Sequence, residues 1–343
     1  MSDTLPPIGA LLFSSPPSLT DEQMGALALR HFGMTGRLRR LTSERDLNVQ
    51  LTDDNSRSFV LKLANPAEPV AVTQVQTAAL LHLAQTAPAL PVPRVMRTKD
   101  GATEVALPDG ILRMLTYLEG EPMHRAPRTA AMRRAMAAMG AALARGLRGF
   151  AHPAASHDLL WDIKQAARLR GLLPSIADPV LAALCVRCLD RFDTAVAGPL
   201  QTVRWQVVHN DLNPHNVLVD PQNPSVIAGV LDFGDMVYTP LICDVAVAAS
   251  YQIDADDPLI SLIDFAAGWH QVDPLLPTEL DLLFDLVATR MVTTIAITSW
   301  RAARYPENAA YILRNFALAQ SGLCSFAQLN RDDVRRALDA ACQ

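Results

Sequence analysis

Lysine is the residue type whose scarcity says most about this chain of 343 residues. Only Lys62, Lys99 and Lys164 are lysines, and the other 27 of the 30 basic residues are arginines. Because arginine fills nearly every basic position, a lysine inside an apolar segment marks a place that needs a compact ammonium. Lys62 lies in such a segment, the strand-like run of residues 59–63, whereas Lys99 lies in a Lys-Asp-Gly turn.

The sequence also lacks a basic stripe, a long apolar run and the two neighbouring cysteine pairs of a zinc site. The net charge is −5 and the pI is near 5.9, so nucleic acid is not expected as a partner. The apolar runs are short and interrupted, so no membrane span is expected, and residues 8–13 lack the basic flank of a signal peptide. Five scattered cysteines fit a reducing cytoplasm. Cys185 and Cys188 fall inside a predicted helix without a second pair nearby, so they do not indicate a zinc site.

The most informative segment that is present covers residues 207–232. It places His209, Asp211, Asn216 and Asp232 in the spacing of a kinase catalytic loop followed by Asp-Phe-Gly. Phosphoryl transfer needs a carboxylate that accepts the proton of the attacking hydroxyl, and oxygen ligands for the Mg²⁺ that bridges the nucleotide phosphates. Asp211 suits the first role, and Asn216 and Asp232 suit the second. His209 is expected to brace the loop through its ring.

The local pattern predicts how these side chains meet. A short apolar run ends at Val208, so Asp211 lies on the loop just beyond a strand. Residues 217–219 and 226–231 are predicted to be two strands joined by a turn. Such a ribbon brings Asn216 and Asp232 to one edge, close enough to share a cation.

The segment ahead of Lys62 departs from a glycine-rich phosphate loop. Residues 41–51 contain no glycine. Ser43, Arg45 and Asn48 could still donate hydrogen bonds to phosphates, and Arg45 could donate two at once. This segment is therefore predicted to cover the phosphates with side chains.

The helix predicted over residues 70–85 also lacks an expected residue. A lysine that binds nucleotide phosphates usually pairs with a glutamate on the next helix, and this helix has none. Gln76 falls within its buried stripe, and Glu68 lies just before it. The sequence leaves open which of the two supports Lys62.

These motifs resemble those of the aminoglycoside phosphotransferase and choline kinase superfamily, small-molecule kinases with a protein-kinase-like fold. The resemblance covers most of residues 20–330, and the segments around Ser43, Trp161-Asp162 and residues 209–213 are most similar to the hydroxylysine kinase-like branch. It implies a bilobal α+β fold with a small β-rich N-terminal lobe and a larger, mainly helical C-terminal lobe. The nucleotide-binding lobe is expected over residues 1–118, with an N-terminal extension over 1–19, and the catalytic and substrate-binding lobe over 119–343.

The resemblance also implies ligands and their binding residues. ATP or GTP is expected as co-substrate, together with Mg²⁺. Lys62 corresponds to the phosphate-binding lysine of the N-terminal lobe. The hinge backbone at Thr116 and Leu118 is expected to meet the purine edge, and Met114 is expected to line the base pocket.

Two features favour a small-molecule substrate over a protein. Position 210 is Asn, where regulated protein kinases carry an arginine that pairs with a phosphorylated activation loop. Asp244 follows Asp232 by only twelve positions, which leaves no room for a long activation segment. Asp244 is predicted to be a helix N-cap that also braces the catalytic loop.

The acceptor is expected to be a hydroxy amino acid or an amino alcohol. Arg290 interrupts an apolar helix and could bind a carboxylate in a bidentate manner. Asp162 and Asp235 could hold an ammonium, and Tyr251 and Trp300 could form walls of the cleft. Activities like those of homoserine kinase type II, choline or ethanolamine kinase and aminoglycoside phosphotransferase stay open, as does a nucleotide-binding pseudokinase. The oligomeric state is not predicted.

Overall fold

The first third of the chain builds a six-stranded antiparallel sheet. In the computed structural model, which describes residues 16–43 and 45–343, its strands follow the order β1-β2-β3-β6-β4, and β5 pairs with β6. Residues 1–15 of the predicted N-terminal extension lie outside the described residues. The strands are β1 (Arg37–Leu41), β2 (Leu47–Thr52), β3 (Ser58–Leu63), β4 (Val95–Met96), β5 (Val105–Leu107) and β6 (Gly110–Thr116).

Two helices flank this sheet, and sequence signals define their ends. Helix α1 (Asp21–Leu27) starts at a capping box in which the Thr20 and Gln23 side chains bond to each other's backbone N–H. It continues as a π-helical turn (Ala28–Phe32) that ends at Gly33, whose φ of 69° suits glycine. Helix α2 (Val70–Thr86) matches the predicted helix over 70–85.

The segment from residue 209 to residue 232 contains the two-stranded ribbon that the sequence predicts. Strand β9 (Val217–Val219) pairs with β10 (Ile227–Val230) and with β7 (Glu121–Pro122). Strand β8 (Trp205–Val208) pairs with β11 (Val237–Pro240), which fixes the two ends of the segment side by side.

The remainder of the chain is mainly helical. Several short 3₁₀ or π segments interrupt it, at Met123–Arg125, Pro153–Ser156, Ile163–Ser175, Phe192–Val196, Pro199–Thr202, Pro306–Asn308 and Leu313–Asn315. The α-helices are α3 (Ala130–Gly146), α4 (Pro179–Arg191), α5 (Leu241–Ser250), α6 (Pro258–His270), α7 (Pro277–Arg304), α8 (Ala309–Ile312), α9 (Phe316–Phe326) and α10 (Arg331–Ala341).

The apolar residues form two separate cores, one for each part of the molecule. The smaller core lies under the six-stranded sheet and includes Met24, Leu61 and Met114. The larger core fills the helical part, and the inner face of α2 packs with it through residues such as Leu80 and Leu83. The α+β fold with a β-rich N-terminal and a helical C-terminal part is therefore confirmed, whereas the lobe boundary between residues 118 and 119 stays a prediction.

Among the described residues the longest helix is α7, and it carries charged side chains along its length. Throughout residues 16–43 and 45–343, no helix combines the length and the apolar character that crossing a bilayer requires.

Candidate active site

The segment that follows β8 is tied to helix α5. The backbone N–H of Asn210 donates to Asp244 Oδ1 at 2.7 Å. Asn210 has a φ of 65°, a left-handed conformation that asparagine tolerates better than most residues. Helix α5 begins at Leu241, so Asp244 lies in its first turn and the prediction of an N-cap is wrong. The predicted brace on the catalytic loop is present.

His209 joins this loop to the end of β10. Its ring is fully buried, Nε2 lies 3.0 Å from the carbonyl oxygen of Leu231, and Nδ1 accepts from the N–H of Asp211 at 3.3 Å. Burial lowers the pKa of His209, which favours the neutral ring that these two bonds require. The ring therefore braces the loop.

Three side chains surround the carboxylate of Asp211. Asn213 Nδ2 and Asn216 Nδ2 donate to Asp211 Oδ2 at 2.9 and 2.8 Å, and Arg290 Nη2 lies 3.4 Å from Oδ1. Burial is the main cause that raises the pKa of Asp211 to about 7; Asp235 adds to it and Arg290 opposes it. A carboxylate with such a pKa can accept a proton near neutral pH.

Asn216 and Asp232 lie beside each other at the edge of the ribbon. The N–H of Leu231 donates to the carbonyl oxygen of Asn216 at 2.7 Å, which brings the next residue, Asp232, alongside. Asp232 has a φ of 55°, and its Oδ1 accepts from the N–H of Gly234 at 3.1 Å. A left-handed aspartate held in this way is the kind of strained residue that recurs at functional sites.

The same pair has the donor atoms that a divalent cation needs. Burial works to raise the pKa of Asp232, but Lys62 and Arg45 outweigh it, so the pKa is lowered and the carboxylate is ionised. The Asn216 Nδ2 group is bonded to Asp211, which leaves the amide oxygen as the ligand atom of Asn216. One carboxylate and one amide oxygen fit Mg²⁺, which usually takes one or two protein carboxylates and completes its shell with phosphates and water.

Lys62 pairs with Asp46 of the phosphate loop, the name given to residues 41–51 because they are predicted to cover the nucleotide phosphates. The Lys62 Nζ atom lies 2.8 Å from Asp46 Oδ2. Gln76 Oε1 instead accepts from Arg113 Nη2 at 2.9 Å, and Glu68 accepts from Thr73 Oγ1 at 2.8 Å. The expected pairing of Lys62 with Gln76 or Glu68 is therefore not found.

A cavity of about 420 Å³ opens between the six-stranded sheet and the catalytic loop. Its lining comes from separate parts of the sequence, and one of them, residues 311–314, was not predicted to belong to the site. Nine of the predicted site residues face this one space: Ser43, Arg45, Asn48, Lys62, Gln76, Asp211, Asn216, Asp232 and Asp235.

The three residues predicted on the purine side lie outside this lining. Met114 is fully buried in the core under the sheet. The N–H of Thr116 donates to the carbonyl oxygen of Arg94 at 2.9 Å, so it is already used within the protein. Contact of Met114, Thr116 and Leu118 with a base stays a prediction.

A second cavity of about 80 Å³ adjoins the first on the side of the helical part. Asp211 lines both cavities, as do Arg45, Asp235, Tyr311 and Arg314. A group in the smaller cavity can therefore reach Asp211 from the side of the helical part.

Arg290 is built into the wall of this second cavity. It is only 1 % exposed, and it donates to the carbonyl oxygen of Trp161 at 3.0 Å and to the Tyr251 hydroxyl at 2.9 Å. Its guanidinium lies 5.1 Å from the Trp161 ring centroid and 5.6 Å from that of Tyr251. These contacts hold the guanidinium against Asp211.

The other predicted acceptor residues divide into two groups. Asp235 lines both cavities and pairs with Arg45 at 3.1 Å. Asp162 is fully buried, pairs with Lys164 and caps the segment Ile163–Ser175, and Trp300 packs under Arg304. Neither Asp162 nor Trp300 lines these two cavities, so a direct contact with the acceptor is not supported for either.

Three charged residues of the site are missed by sequence reasoning. The sequence did contain a signal for Asp46. Asn48 pairs with Lys62 across β2 and β3, and Asp46 lies two residues before Asn48. Because alternate residues along a strand share a face, Asp46 is expected on the same side as Asn48. Arg113 is the register partner of Lys62 on β6 and gave a weaker signal of the same kind. Arg314 follows a helical turn and had none.

Comparison with known proteins indicates a phosphotransferase, the class of enzyme that the sequence motifs predict. The model of the phosphotransferase enzyme family (APH) matches residues 37–278. Hydroxylysine kinase of Mus musculus is 27 % identical over an alignment of 329 positions that covers 88 % of this chain and 87 % of the relative. Hydroxylysine kinase of Danio rerio is 27 % identical over an alignment of 338 positions that covers 94 % of this chain and 95 % of the relative.

Solved structures share the fold. An amicoumacin kinase in complex with AMP-PNP and Ca²⁺ superimposes with a TM-score of 0.67 at 15 % identity, over 92 % of this chain and 97 % of that one. A microcompartment-associated aminopropanol kinase gives 0.66 at 19 % identity, over 92 % and 100 % of the chains.

The fold and the family match together define a phosphotransferase with a kinase-like architecture. The chain belongs to the phosphotransferase enzyme family. It is an enzyme that uses a nucleotide to phosphorylate a hydroxyl group of a small molecule.

Proposed function

We propose that the enzyme transfers the γ-phosphoryl group of ATP or GTP to the hydroxyl of a hydroxy amino acid, of which hydroxylysine is the best-supported candidate. The 27 % identity to hydroxylysine kinases over 88 % of the chain supports this acceptor. The charge of the smaller cavity, described below, is the independent observation in its favour.

In this proposal Asp211 is the catalytic base. Its carboxylate is held by two asparagine amides and faces the boundary of both cavities, which allows it to bind the acceptor hydroxyl. The proton of that hydroxyl passes to Asp211 as the oxygen bonds to phosphorus and the bond to the leaving nucleotide breaks.

The remaining residues of the larger cavity bind the nucleotide. Asn216 and Asp232 hold Mg²⁺, which neutralises phosphate charge when it is bound. Lys62 binds the phosphates from the sheet, and Ser43, Arg45 and Asn48 cover them from the phosphate loop. Gln76 fixes the neighbouring Arg113.

The acceptor side is rich in arginine, which favours a substrate that carries a carboxylate. Of the described residues that line the smaller cavity, four are arginines and two are aspartates. Two of these arginines, Arg45 and Arg290, are paired with the two aspartates. An aminoglycoside, which is a polycation, would require the opposite excess of charge.

Arg314 carries this argument. It is exposed, it lines both cavities, and it forms no ion pair or hydrogen bond with a described residue; its guanidinium carbon lies 3.9 Å from the ring centroid of Tyr311. A guanidinium stacked on an aromatic ring keeps its N–H groups available for a carboxylate. In the proposal Arg314 and Arg290 bind the acceptor carboxylate, Asp235 binds its ammonium, and Tyr251 forms the wall.

The test compares two acceptors in the parent and in Arg314→Gln. Steady-state kinetics are measured with hydroxylysine and with its decarboxylated amine. We expect Arg314→Gln to raise KM for hydroxylysine about tenfold, because one charge-assisted hydrogen bond is lost, and to leave KM for the amine unchanged. Arg304→Gln is the matched control, since Arg304 also stacks on an aromatic ring, Trp300, at 4.4 Å but lines neither cavity.

Equal effects of Arg314→Gln on both acceptors would contradict a carboxylate-binding role. Phosphorylation of an aminoglycoside, and of no hydroxy amino acid, would contradict the proposed acceptor class and leave the phosphotransferase assignment in place.

A further inference from the structure

Among the described residues, the ammonium of Lys62 has one close counter-ion, which comes from the phosphate loop. The Lys62 and Asp46 side chains are only 13 % and 12 % exposed, and their charged atoms are 2.8 Å apart. An ion pair that is this far removed from water is held much more firmly than a surface pair. The position of Asp46 therefore sets the position of the Lys62 ammonium.

Asp46 is itself fixed to the sheet. Its second carboxylate oxygen, Oδ1, accepts from the backbone N–H of Asn65 at 3.1 Å. Asn65 is 1 % exposed and follows β3, and its Nδ2 group donates to the carbonyl oxygen of Arg45 at 3.0 Å. Two hydrogen bonds from one buried residue thus anchor the part of the loop that presents the Asp46 carboxylate.

Among the described residues, neither Gln76 nor Glu68 takes the place of Asp46. Gln76 is bonded to Arg113, and Glu68 is bonded to Thr73. Arg113 faces Lys62 across β3 and β6 and carries the same charge, so without Asp46 the two cations would repel each other. The helix residue that would normally support the lysine supports Arg113 instead.

We propose that Asp46 is the positioning residue that holds Lys62 for the nucleotide phosphates, so that the phosphate loop and the lysine act as one unit. This inference rests on the proposed role of Lys62 in phosphate binding. It assigns to the loop the task that a helix glutamate would otherwise perform.

The charge balance around Lys62 agrees with this role. Burial works to lower the pKa of Lys62, but Asp46 first and Asp232 second outweigh it, and the pKa is raised. The ammonium thus stays charged in a buried position. If Asp46 instead competes with the phosphates for Lys62, removal of the Asp46 charge would lower the Kd of the nucleotide and not raise it.

The experiment measures the Kd of AMP-PNP with Mg²⁺ by calorimetry, and it measures KM for hydroxylysine by steady-state kinetics. The variants are Asp46→Asn, Asp46→Glu, Lys62→Met and the double variant of Asp46→Asn with Lys62→Met. Asp54→Asn is the matched control, since Asp54 is an exposed aspartate in the turn between β2 and β3. Asp46→Ser gives a second neutral side chain, and thermal unfolding verifies that each variant is folded.

We expect Asp46→Asn to raise the Kd of AMP-PNP about tenfold, in the range of coupled neighbouring residues, without a change in acceptor KM. Asp46→Glu should recover most of the loss, because it restores the charge. In the Lys62→Met background Asp46→Asn should have no further effect, since its influence acts through Lys62.

A Kd that is unchanged or lower in Asp46→Asn, or a loss of equal size in the Lys62→Met background, would overturn the inference. The proposed role of Lys62 in phosphate binding fails in a different way, by a Lys62→Met variant that binds AMP-PNP as tightly as the parent. An impaired Lys62→Met variant beside an unaffected Asp46→Asn variant contradicts the role of Asp46 alone.

Discussion

At the scale of single residues, the environment of Asp211 decides what this site can do. Two amide N–H groups hold one carboxylate oxygen, and the other oxygen faces a buried guanidinium. Local spacing predicts that His209, Asn213 and Asn216 share one loop with Asp211, but it did not predict that the two asparagine amides and Arg290 hold its carboxylate. Asp46 was missed although its spacing from Asn48 gave a signal, and Arg314 was missed because it reaches the site from a distant part of the sequence.

Replacing Asp211 by Asn tests the proposed base. The amide has nearly the same shape and can still accept from Asn216, but it cannot take a proton. We expect kcat to fall by about two to four orders of magnitude, while the Kd of AMP-PNP stays close to that of the parent. The exposed Asp256→Asn serves as control. Near-native turnover in Asp211→Asn would exclude Asp211 as the base.

At the scale of elements, the ribbon β9–β10 could be predicted from local sequence signals, whereas the contacts that helix α7 makes through Arg290 could not. The ribbon was predicted because two short apolar runs and a proline-containing turn between them are local signals. The stretch Ile163–Ser175 forms 3₁₀ turns and contains Pro174, which cannot donate a backbone hydrogen bond. The sequence marked Arg290 as a charge in an apolar helix, but its partners Trp161, Asp211 and Tyr251 lie on three other segments.

Helix α7 delivers Arg290 to the catalytic loop, and Arg290→Lys tests that connection. A lysine keeps the charge but is shorter and cannot bond to Trp161, Tyr251 and Asp211 at the same time. We expect kcat to fall about tenfold, since effects between contacting residues reach ~1–3 kcal/mol, with the Kd of AMP-PNP unchanged.

A buried arginine elsewhere in the helical part provides the control for Arg290→Lys. Arg133 is 8 % exposed, pairs with Asp264 and lines neither cavity. If Arg133→Lys and Arg290→Lys reduce kcat equally, the effect of the latter reflects general destabilisation and not the contact with Asp211.

At the scale of the whole molecule, the site lies where two independently packed cores meet. The sheet supplies Lys62 and the phosphate loop, the catalytic loop supplies Asp211, the ribbon supplies Asp232, and the helical part supplies Arg290 and Arg314. The fold and the residues that line the larger cavity could largely be predicted, because each motif lies in a short continuous segment, whereas binding of the nucleotide stays a prediction. The acceptor side could only be outlined, because its charge depends on how helices from separate parts of the chain are arranged around a small cavity.

The central claim is that a hydroxy amino acid receives a phosphoryl group at Asp211. The most direct test is phosphorus NMR of the products formed from ATP or GTP with hydroxylysine, homoserine, an amino alcohol or an aminoglycoside, with and without Mg²⁺. We expect a phosphate ester on hydroxylysine that requires Mg²⁺ and is absent with Asp211→Asn and strongly reduced with Asp232→Asn. Ester formation on an aminoglycoside alone, or an undiminished ester in the Asp211→Asn variant, would contradict the central claim.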